Sequence, residues 1–446
     1  MASTNAGARL DRLPISSFHY RIFWLIGAGM FFDGYDLYVG ASVLGSAVQT
    51  KFATIAHVAQ FNSLTYFGLT IGSLLAGFVG DKFGRRFTYQ INLIIFGLAS
   101  FAAAAAPDIT TLNWCRFVQG LGLGAEIVVG YSTLTEFVPP KARGKWLAFM
   151  VFVVVSGFPV TVILGNLVIP AFGWRPMFVV AGVGALIVWY LRKNLPESPR
   201  WLESQGRHDE AEALMQEIET EVAAGGILPP PKIAPPIVNL GFASLFTRAF
   251  LPRLIVGSVV LISINTLIAG FVLWLPTFFV QQGLTITRSL AYTAVLAIAS
   301  LVGCAIGAYT ADGLGRKRSI IGASVLTIIL GAIYPSATEP AFLLSVGFLL
   351  IVSIYIQTAM LFGVYSTELF PTEVRLRGNG FCNMLGRAAT IVSPFATAYL
   401  FGLYGVAGVI GMLIALLVLQ IVVVATMGVE PAKRGLEDVD AEAVAA

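Results

Sequence analysis

The 446-residue sequence predicts an all-α membrane protein of twelve transmembrane helices, and three features predict it. Hydrophobic residues make up 57% of the chain and charged residues only 12%, far from the balance of soluble domains. The apolar residues fall into about twelve blocks, each close to the roughly 20 residues that a helix needs to cross the hydrocarbon core. The Lys and Arg residues collect between alternate blocks, as cytoplasmic loops do. The blocks are continuously apolar, whereas strands of a membrane barrel would alternate over about ten residues.

The blocks lie at 21–47, 61–80, 87–106, 110–137, 145–170 and 173–192, and again at 253–280, 289–311, 319–338, 341–367, 378–402 and 405–428. They group into an N-terminal bundle, 21–193, and a C-terminal bundle, 251–430. Residues 1–20 carry no apolar core ahead of the first block, so they read as a cytoplasmic segment and not as a cleaved signal peptide. Residues 194–250 join the bundles on the cytoplasmic side. Within them "RHDEAEALMQEIETEV" spaces Ala211, Leu214, Met215, Ile218 and Val222 as an amphipathic helix, and "LPPPKIAPP" reads as an extended linker. Residues 431–446 form a cytoplasmic tail.

With both termini inside, 23 of the 28 basic residues are cytoplasmic: three before the first span, three in "GDKFGRR", three in "PPKARGKW", seven between spans six and seven, three in "GRKR", two in "VRLRG" and two in the tail. Lys51, Arg175 and Arg288 fall outside, and Arg116 and Arg387 within spans. The net charge of +4 therefore records topology and gives no ground for nucleic-acid binding. Cys115, Cys304 and Cys382 match no metal spacing, His19, His57 and His208 make no cluster, and no phosphate-binding loop occurs. An enzyme, an ATP-driven pump, a metal and an organic cofactor are thus not expected.

The two halves repeat. Asp81 and Arg85 in "GDKFGRR" recur as Asp312 and Arg316 in "ADGLGRK", offset by 231 residues. Glu136 and Arg143 in "TEFVPPKARG" recur as Glu368 and Arg375 in "TELFPTEVRLRG", offset by 232. Two parallel six-helix halves follow, a plan whose site lies at the interface of the halves near the bilayer midplane. Asp81 sits near the C-terminal end of its helix, where the dipole disfavours a carboxylate, so it should find a cation in Arg143 or Arg85.

These motifs, with "RFVQGLGLG" in span four, "PESPRWLESQGR" after span six and "EPAKRGLED" after span twelve, resemble the major facilitator superfamily over nearly the whole chain. The resemblance implies a monomeric secondary transporter of the cell membrane. It also implies that Asp81, Arg85, Glu136, Arg143, Asp312, Arg316, Glu368 and Arg375 latch a cytoplasmic gate.

Five ionisable residues sit inside spans, where a charge costs about 2.5–3.5 kcal/mol on insertion scales: Asp33, Asp36, Arg116, Glu126 and Arg387. Asp33 and Asp36 in "GMFFDGYDLYVG" are three apart and share a helix face, so both are expected to point into a central cavity. "GYD" resembles the place where proton-coupled sugar porters carry a protonatable Asp, here Asp36, and "DGYD" resembles the aromatic-acid and metabolite:proton branches. Arg116 is the natural counter-charge of Asp36. Burial favours the neutral acid and a guanidinium favours the anion, a competition suited to proton coupling by Asp36, Arg116 and Asp33, or else to a static ion pair. Glu126, rotated by about 80° from Arg116 on the helix, belongs either to the cavity or to a hydrogen bond with a neighbouring helix. "GLGAE" around it resembles niacin-type transporters.

Arg387 in span eleven, with Asn383 one turn earlier, offers a planar fork suited to a carboxylate. Its alternatives are a substrate anion, or Glu126 or Asp33 in the empty protein. Asn62, Tyr66 and Ser73 in span two, and Ser258, Asn265 and Trp274 in span seven, are cavity or helix-to-helix hydrogen-bonding groups. The glutamines that sugar porters carry in spans five and seven are missing from "VFVVVSGFPVTVILGNLV" and "LISINTLIAGFVLWLPTFF", which disfavours a sugar. The sequence thus reads as a proton-coupled symporter of a small organic acid, aromatic or heteroaromatic carboxylates included. Asp33, Glu126, Arg387, Asn383, Asn265 and Tyr66 would bind substrate. An organic-cation or drug:proton antiporter and a non-transporting receptor of the same fold are the alternatives.

Overall fold

A computed structural model describes residues 5–223, 228–230, 242–248, 250–313, 315–337, 339–365, 369–370 and 374–428. Fifteen α-helices run through them, with no strand among the described residues. A short α1, Ala6–Asp11, precedes the first six long helices: α2 Ser17–Gln49, α3 Ile55–Phe83, α4 Arg85–Ala104, α5 Ile109–Phe137, α6 Pro140–Phe172 and α7 Arg175–Leu191. Two linker helices follow, α8 Pro199–Ser204 and α9 His208–Ala223. The second group comprises α10 Leu251–Gly270, α11 Leu275–Gln281, α12 Ile286–Gly313, α13 Arg316–Ile333, α14 Pro340–Met360 and α15 Arg375–Met427. Nine described helical stretches are long and apolar enough to cross a membrane. The last of them is two legs hinged at Gly405, whose φ of 62° breaks the helix. With α2 and the shorter α7, twelve crossings result.

Local chemistry sets the helix ends. Thr54 caps α3, accepting a bond from the His57 N–H, and Asp108 caps α5, accepting the Thr111 N–H at 2.8 Å. The entry to α4 has no side-chain cap of its own, since Gly84 turns the chain there with a φ of 96°. Glu197 fills that role from the linker, its carboxylate accepting the N–H groups of Arg85 at 2.9 Å and Arg86 at 3.2 Å. A carboxylate at a helix N-terminus is favourable both as hydrogen-bond acceptor and against the dipole. Trp201 of the same "PESPRW" segment donates its indole N–H to the Asp81 carbonyl at 2.9 Å.

Helices α3 and α5 approach closely because Gly68 and Gly72 face Gly120 and Gly124. A Cβ at any of the four would strike backbone of the opposite helix, the small-residue packing that membranes favour. Span seven is not the continuous helix that the apolar run 253–280 suggests. It breaks at Phe271 into a 3₁₀ turn, Val272–Trp274, before α11, and Thr397 of α15 donates its hydroxyl to the freed Gly270 carbonyl at 3.3 Å. The expected amphipathic linker helix is α9, which buries Ala211, Met215, Ile218 and Val222. Most of "LPPPKIAPP" and the whole of 431–446 lie outside the described residues.

Replacing Gly72 by Leu should wedge α3 from α5 and destabilise the fold by about 1–3 kcal/mol. Thermal melting of the detergent-purified variant against the parent protein measures the effect.

Candidate functional site

The centre of the N-terminal group is an ion pair. Arg116 donates from Nη1 to Asp36 Oδ2 at 2.6 Å and from Nη2 to the Asp36 carbonyl at 3.2 Å. Its Nε reaches Thr65 Oγ1 at 3.3 Å, and its guanidinium lies 4.9 Å from the centre of the Phe61 ring. Gln119, one turn beyond Arg116 on α5, donates to Asp36 Oδ1 at 3.3 Å and to Ser100 Oγ of α4 at 2.7 Å. Four helices thus meet in one hydrogen-bond network around this carboxylate, which α5 alone contacts directly. The expected pairing of Asp36 with Arg116 is present, but the expected exposure is not. Asp36 is 0% exposed, enclosed by its partners Arg116 and Gln119. The reason is stoichiometric: the buried guanidinium needs nearby acceptors, and Asp36 supplies both a side-chain and a main-chain one. Gln119 and Thr65 were missed in the sequence. The one-turn spacing of Arg116 and Gln119 in "RFVQG" was the available signal.

Asp33, one turn earlier on α2, faces a different cation. Arg192, immediately after α7, is 0% exposed. It donates to Glu126 Oε1, to the Leu25 carbonyl at 2.7 Å and to the Ile26 carbonyl at 2.7 Å, and lies 4.5 Å from the centre of the Tyr89 ring. Glu126 therefore pairs with Arg192 and not with Arg387, which corrects one expectation. Arg192 and Arg253, counted with the basic residues between spans six and seven, are both buried. Hydropathy cannot tell an end-of-span arginine that reaches outward from one that folds back to a buried carboxylate. Gly29 makes the room, since a Cβ there would overlap the Arg192 guanidinium and come within 2.6 Å of Glu126 Oε1. Asp33 Oδ2 and Glu126 Oε2 are buried without hydrogen-bond partners among the described residues.

Arg387 does face that interface. Ile391, one turn later on α15, accepts a 2.7 Å hydrogen bond at its carbonyl from Ser63 of α3, so this face of α15 meets the N-terminal group. Tyr66, one turn after Ser63, lies within electrostatic reach of Arg387, Arg116 and Tyr38. Among the described residues no carboxylate pairs with Arg387, whereas Arg116 and Arg192 are both matched. Its side chain is half-buried. Asn265 packs on Gly386, 2.9 Å from the place of a Cβ there, and spends one N–H on the Leu261 carbonyl. Asn383 bonds Asn379. Beyond Tyr66, the Tyr38 and Tyr355 hydroxyls share a 2.7 Å hydrogen bond between the groups, with Phe158 stacked on Tyr38 at 4.5 Å. The groups also join at the far end of α2, where Gln49 accepts the Ile286 N–H at 3.1 Å.

The gate charges divide. Arg85 donates to Glu136 at 2.9 Å and to Asp81 at 3.1 Å, and Asp81 stays 80% exposed. Arg143 does not reach Asp81; it bonds Asp11, which also takes Arg200 at 2.6 Å. Arg316 is a described residue and is not without a partner. Glu368 and the side chains of Asp312 and Arg375 lie outside them. The partner change at Arg143 follows from the docking of α1, which carries Asp11 and for which no signal is legible in the sequence. Arg9 bonds Glu212 at 2.6 Å and Glu219 at 2.8 Å, Arg12 bonds Glu219 at 2.6 Å, and Glu203 accepts the Asn5 and Ala6 N–H groups.

The family model described as "Sugar (and other) transporter" matches residues 23–443. The chain is 38% identical over 443 residues to the inner membrane metabolite transport protein YdjE of Escherichia coli, covering 97% of this chain and 98% of that one. It is 29% identical to the niacin transporter NiaP of Acinetobacter baylyi, over 88% of this chain and 90% of that one. Among solved structures, the major facilitator superfamily proton:xylose symporter XylE bound to 6-bromo-6-deoxy-D-glucose superposes with a TM-score of 0.70 at 20% identity, covering 96% and 99% of the two chains. This last likeness concerns the fold.

Two outcomes test the geometry. Asp36→Asn leaves Arg116 buried without its counter-charge, and should cost about 3–5 kcal/mol, read as a lowered melting temperature that Arg116→Gln/Asp36→Asn partly restores. Hydrogen bonds from Arg9, and from Arg12 for Glu219, hold Glu212 and Glu219 below the usual carboxylate range. Carboxylates depressed in the folded state stabilise above their unfolded value of about 4.3 and lose that contribution as pH falls through the folded value. The α1 clamp should therefore be closed at neutral pH and open only in acid below the ordinary carboxylate range, as reported by an environment-sensitive dye at position 8. Arg9→Ala should open it at neutral pH.

Proposed function

The chain belongs to the family of sugar and other transporters, and we propose that it is a proton-coupled symporter importing a small organic acid by alternating access. Aromatic and heteroaromatic carboxylates are the favoured class. The observation that carries this reading is the Arg387 guanidinium, unmatched by any carboxylate among the described residues and set on the face of α15 that meets α3. A cation retained in a span needs a counter-charge, and a planar fork binds a carboxylate through two parallel hydrogen bonds. The phenol of Tyr66 beside it, and the Tyr38, Phe158 and Tyr355 rings beyond, supply flat apolar surface for a ring attached to that carboxylate. A relative named as a niacin transporter handles a molecule of this chemistry.

Proton coupling is assigned to the buried acids of span one, Asp36 with Arg116, and Asp33. Both termini then lie in the cytoplasm, and the Gln49 and Tyr38 contacts hold the groups together toward the outer face. The cation-antiport alternative needs Glu126 free to meet its substrate, and Glu126 is occupied by Arg192.

Purified protein in proteoliposomes should accumulate labelled nicotinate or benzoate under an inward proton gradient. Removing a hydrogen-bonded charge partner costs about 1.5–3 kcal/mol, so Arg387→Ala should raise the KM for the acid by about 10- to 100-fold, with Arg387→Lys intermediate. Asp36→Asn should abolish gradient-driven accumulation. Outward flux of organic cations with no movement of acids would overturn the reading.

A further inference from the structure

The seam between the two groups carries hydrogen-bond donors in excess of acceptors. Tyr38 of α2 and Tyr355 of α14 are 3% and 0% exposed, and among the described residues each hydroxyl has one partner, the other, at 2.7 Å. A phenol pair brings two protons and uses one in that bond, so one O–H is left without an acceptor. The neighbours do not make up the deficit. Phe158 of α6 lies against both rings, its centre 4.5 Å from that of Tyr38 and 6.4 Å from that of Tyr355. Tyr66 of α3, within electrostatic reach of both hydroxyls, adds a third phenol. Cys304 of α12, also within reach of the pair, offers only a weakly accepting sulfur, and the Arg387 guanidinium near Tyr66 has no acceptor at all. Trp274 repeats the pattern: it sits on the 3₁₀ turn that packs against α2 and is 0% exposed, and its indole N–H, a pure donor, has no partner among the described residues.

We propose that the solute carries a second hydrogen-bond acceptor on its ring and that the Tyr38–Tyr355 hydroxyl pair reads it, so that the site takes an aromatic acid with a ring nitrogen or ring oxygen in preference to one whose ring is hydrocarbon only. The inference rests on the symport reading above and narrows its solute. The pair bridges the two groups, so its bond opens when they part around a solute, and both O–H groups then lack partners. A carboxylate held by Arg387 places its ring beside Tyr66 and toward the pair. A ring acceptor takes one O–H there, whereas a hydrocarbon ring leaves both unmet. Leaving a buried polar group unpaired costs more than a neutral hydrogen bond contributes, so a site of this kind discriminates by rejecting the analogue that lacks the group.

Nicotinate and benzoate carry the same carboxylate and differ by one ring nitrogen, so the ratio of their KM values isolates the contact. In proteoliposomes under an inward proton gradient, the parent protein should take up nicotinate with a KM about 3- to 10-fold below that for benzoate, the equivalent of one neutral hydrogen bond. Tyr38→Phe/Tyr355→Phe keeps both rings and removes both members of the hydroxyl pair, a matched deletion that folding tolerates. It should bring the ratio to about one or reverse it. Arg387→Lys should weaken both acids and keep the parent's ratio. Equal KM values in the parent protein overturn the inference and leave symport standing. So does a ratio unchanged in the double variant, the result expected if the two rings only pack against the solute. Nicotinamide, which has the ring nitrogen without the carboxylate, separates the two readings. If the parent protein accumulates neither acid, yet nicotinamide raises its melting temperature and not that of the double variant, the symport reading falls and the ring-acceptor site stands. A parent protein that accumulates neither acid and gains no stability from nicotinamide overturns both.

Discussion

A guanidinium buried among helices forces its surroundings to supply acceptors, and most of the N-terminal group is organised by that demand. Arg116 engages α2 through Asp36, α3 through Thr65, and α4 through Gln119 and Ser100. The link to Asp36 is short, enclosed and charge-assisted, the class of hydrogen bond that holds geometry most strictly, while the Thr65 and Gln119 links are longer, at 3.3 and 3.2 Å. The close approach of α3 and α5 through paired glycines is what brings Thr65 within reach. Packing and electrostatics therefore define one another here.

The second group solves the same problem without charge. Gln357, Gln420, Ser324, Thr327 and Ser353 form a buried network across α13, α14 and the second leg of α15, with bonds of 2.8–3.1 Å. Neutral amides and hydroxyls bond one another there, with only the Gln420 side-chain oxygen left without a partner among the described residues of this network. Arg387 is the contrast, a cation on this side facing across to the other group. Among the described residues the buried carboxylates within spans lie in the N-terminal group, while the second group presents the Arg387 guanidinium, unmatched by a carboxylate. That division suits a cycle in which one half binds protons and the two halves share the solute.

How far the sequence could be read depended on the range of the interaction. The helices, the two halves and the Asp36–Arg116 pair were legible because hydropathy, a repeated offset and two opposite charges within spans are visible without coordinates. The break at Phe271 was hidden in an unbroken apolar run, with Gly270 and Pro276 as the available hints. The partners of Arg192 and Arg143 were not legible. Glu126 lies 66 residues from Arg192 and Asp11 lies 132 residues from Arg143, and each arginine sits at the edge of a span, where either direction is consistent with composition. Asp81 illustrates the opposite case, since its contact with Arg85 four residues away follows from helix geometry alone.

The hinge at Gly405 has a mechanical implication. A single left-handed residue joins the two legs of α15, leaving no slack for one to slide independently of the other. Displacement of the leg bearing Arg387 must therefore be transmitted to the leg bearing Gln420, whose amide is fastened to α13 and α14. A pull on either rod is in this way felt as torque throughout its half of the molecule, and an inserted stretch of flexible chain at that hairpin would act as a clutch.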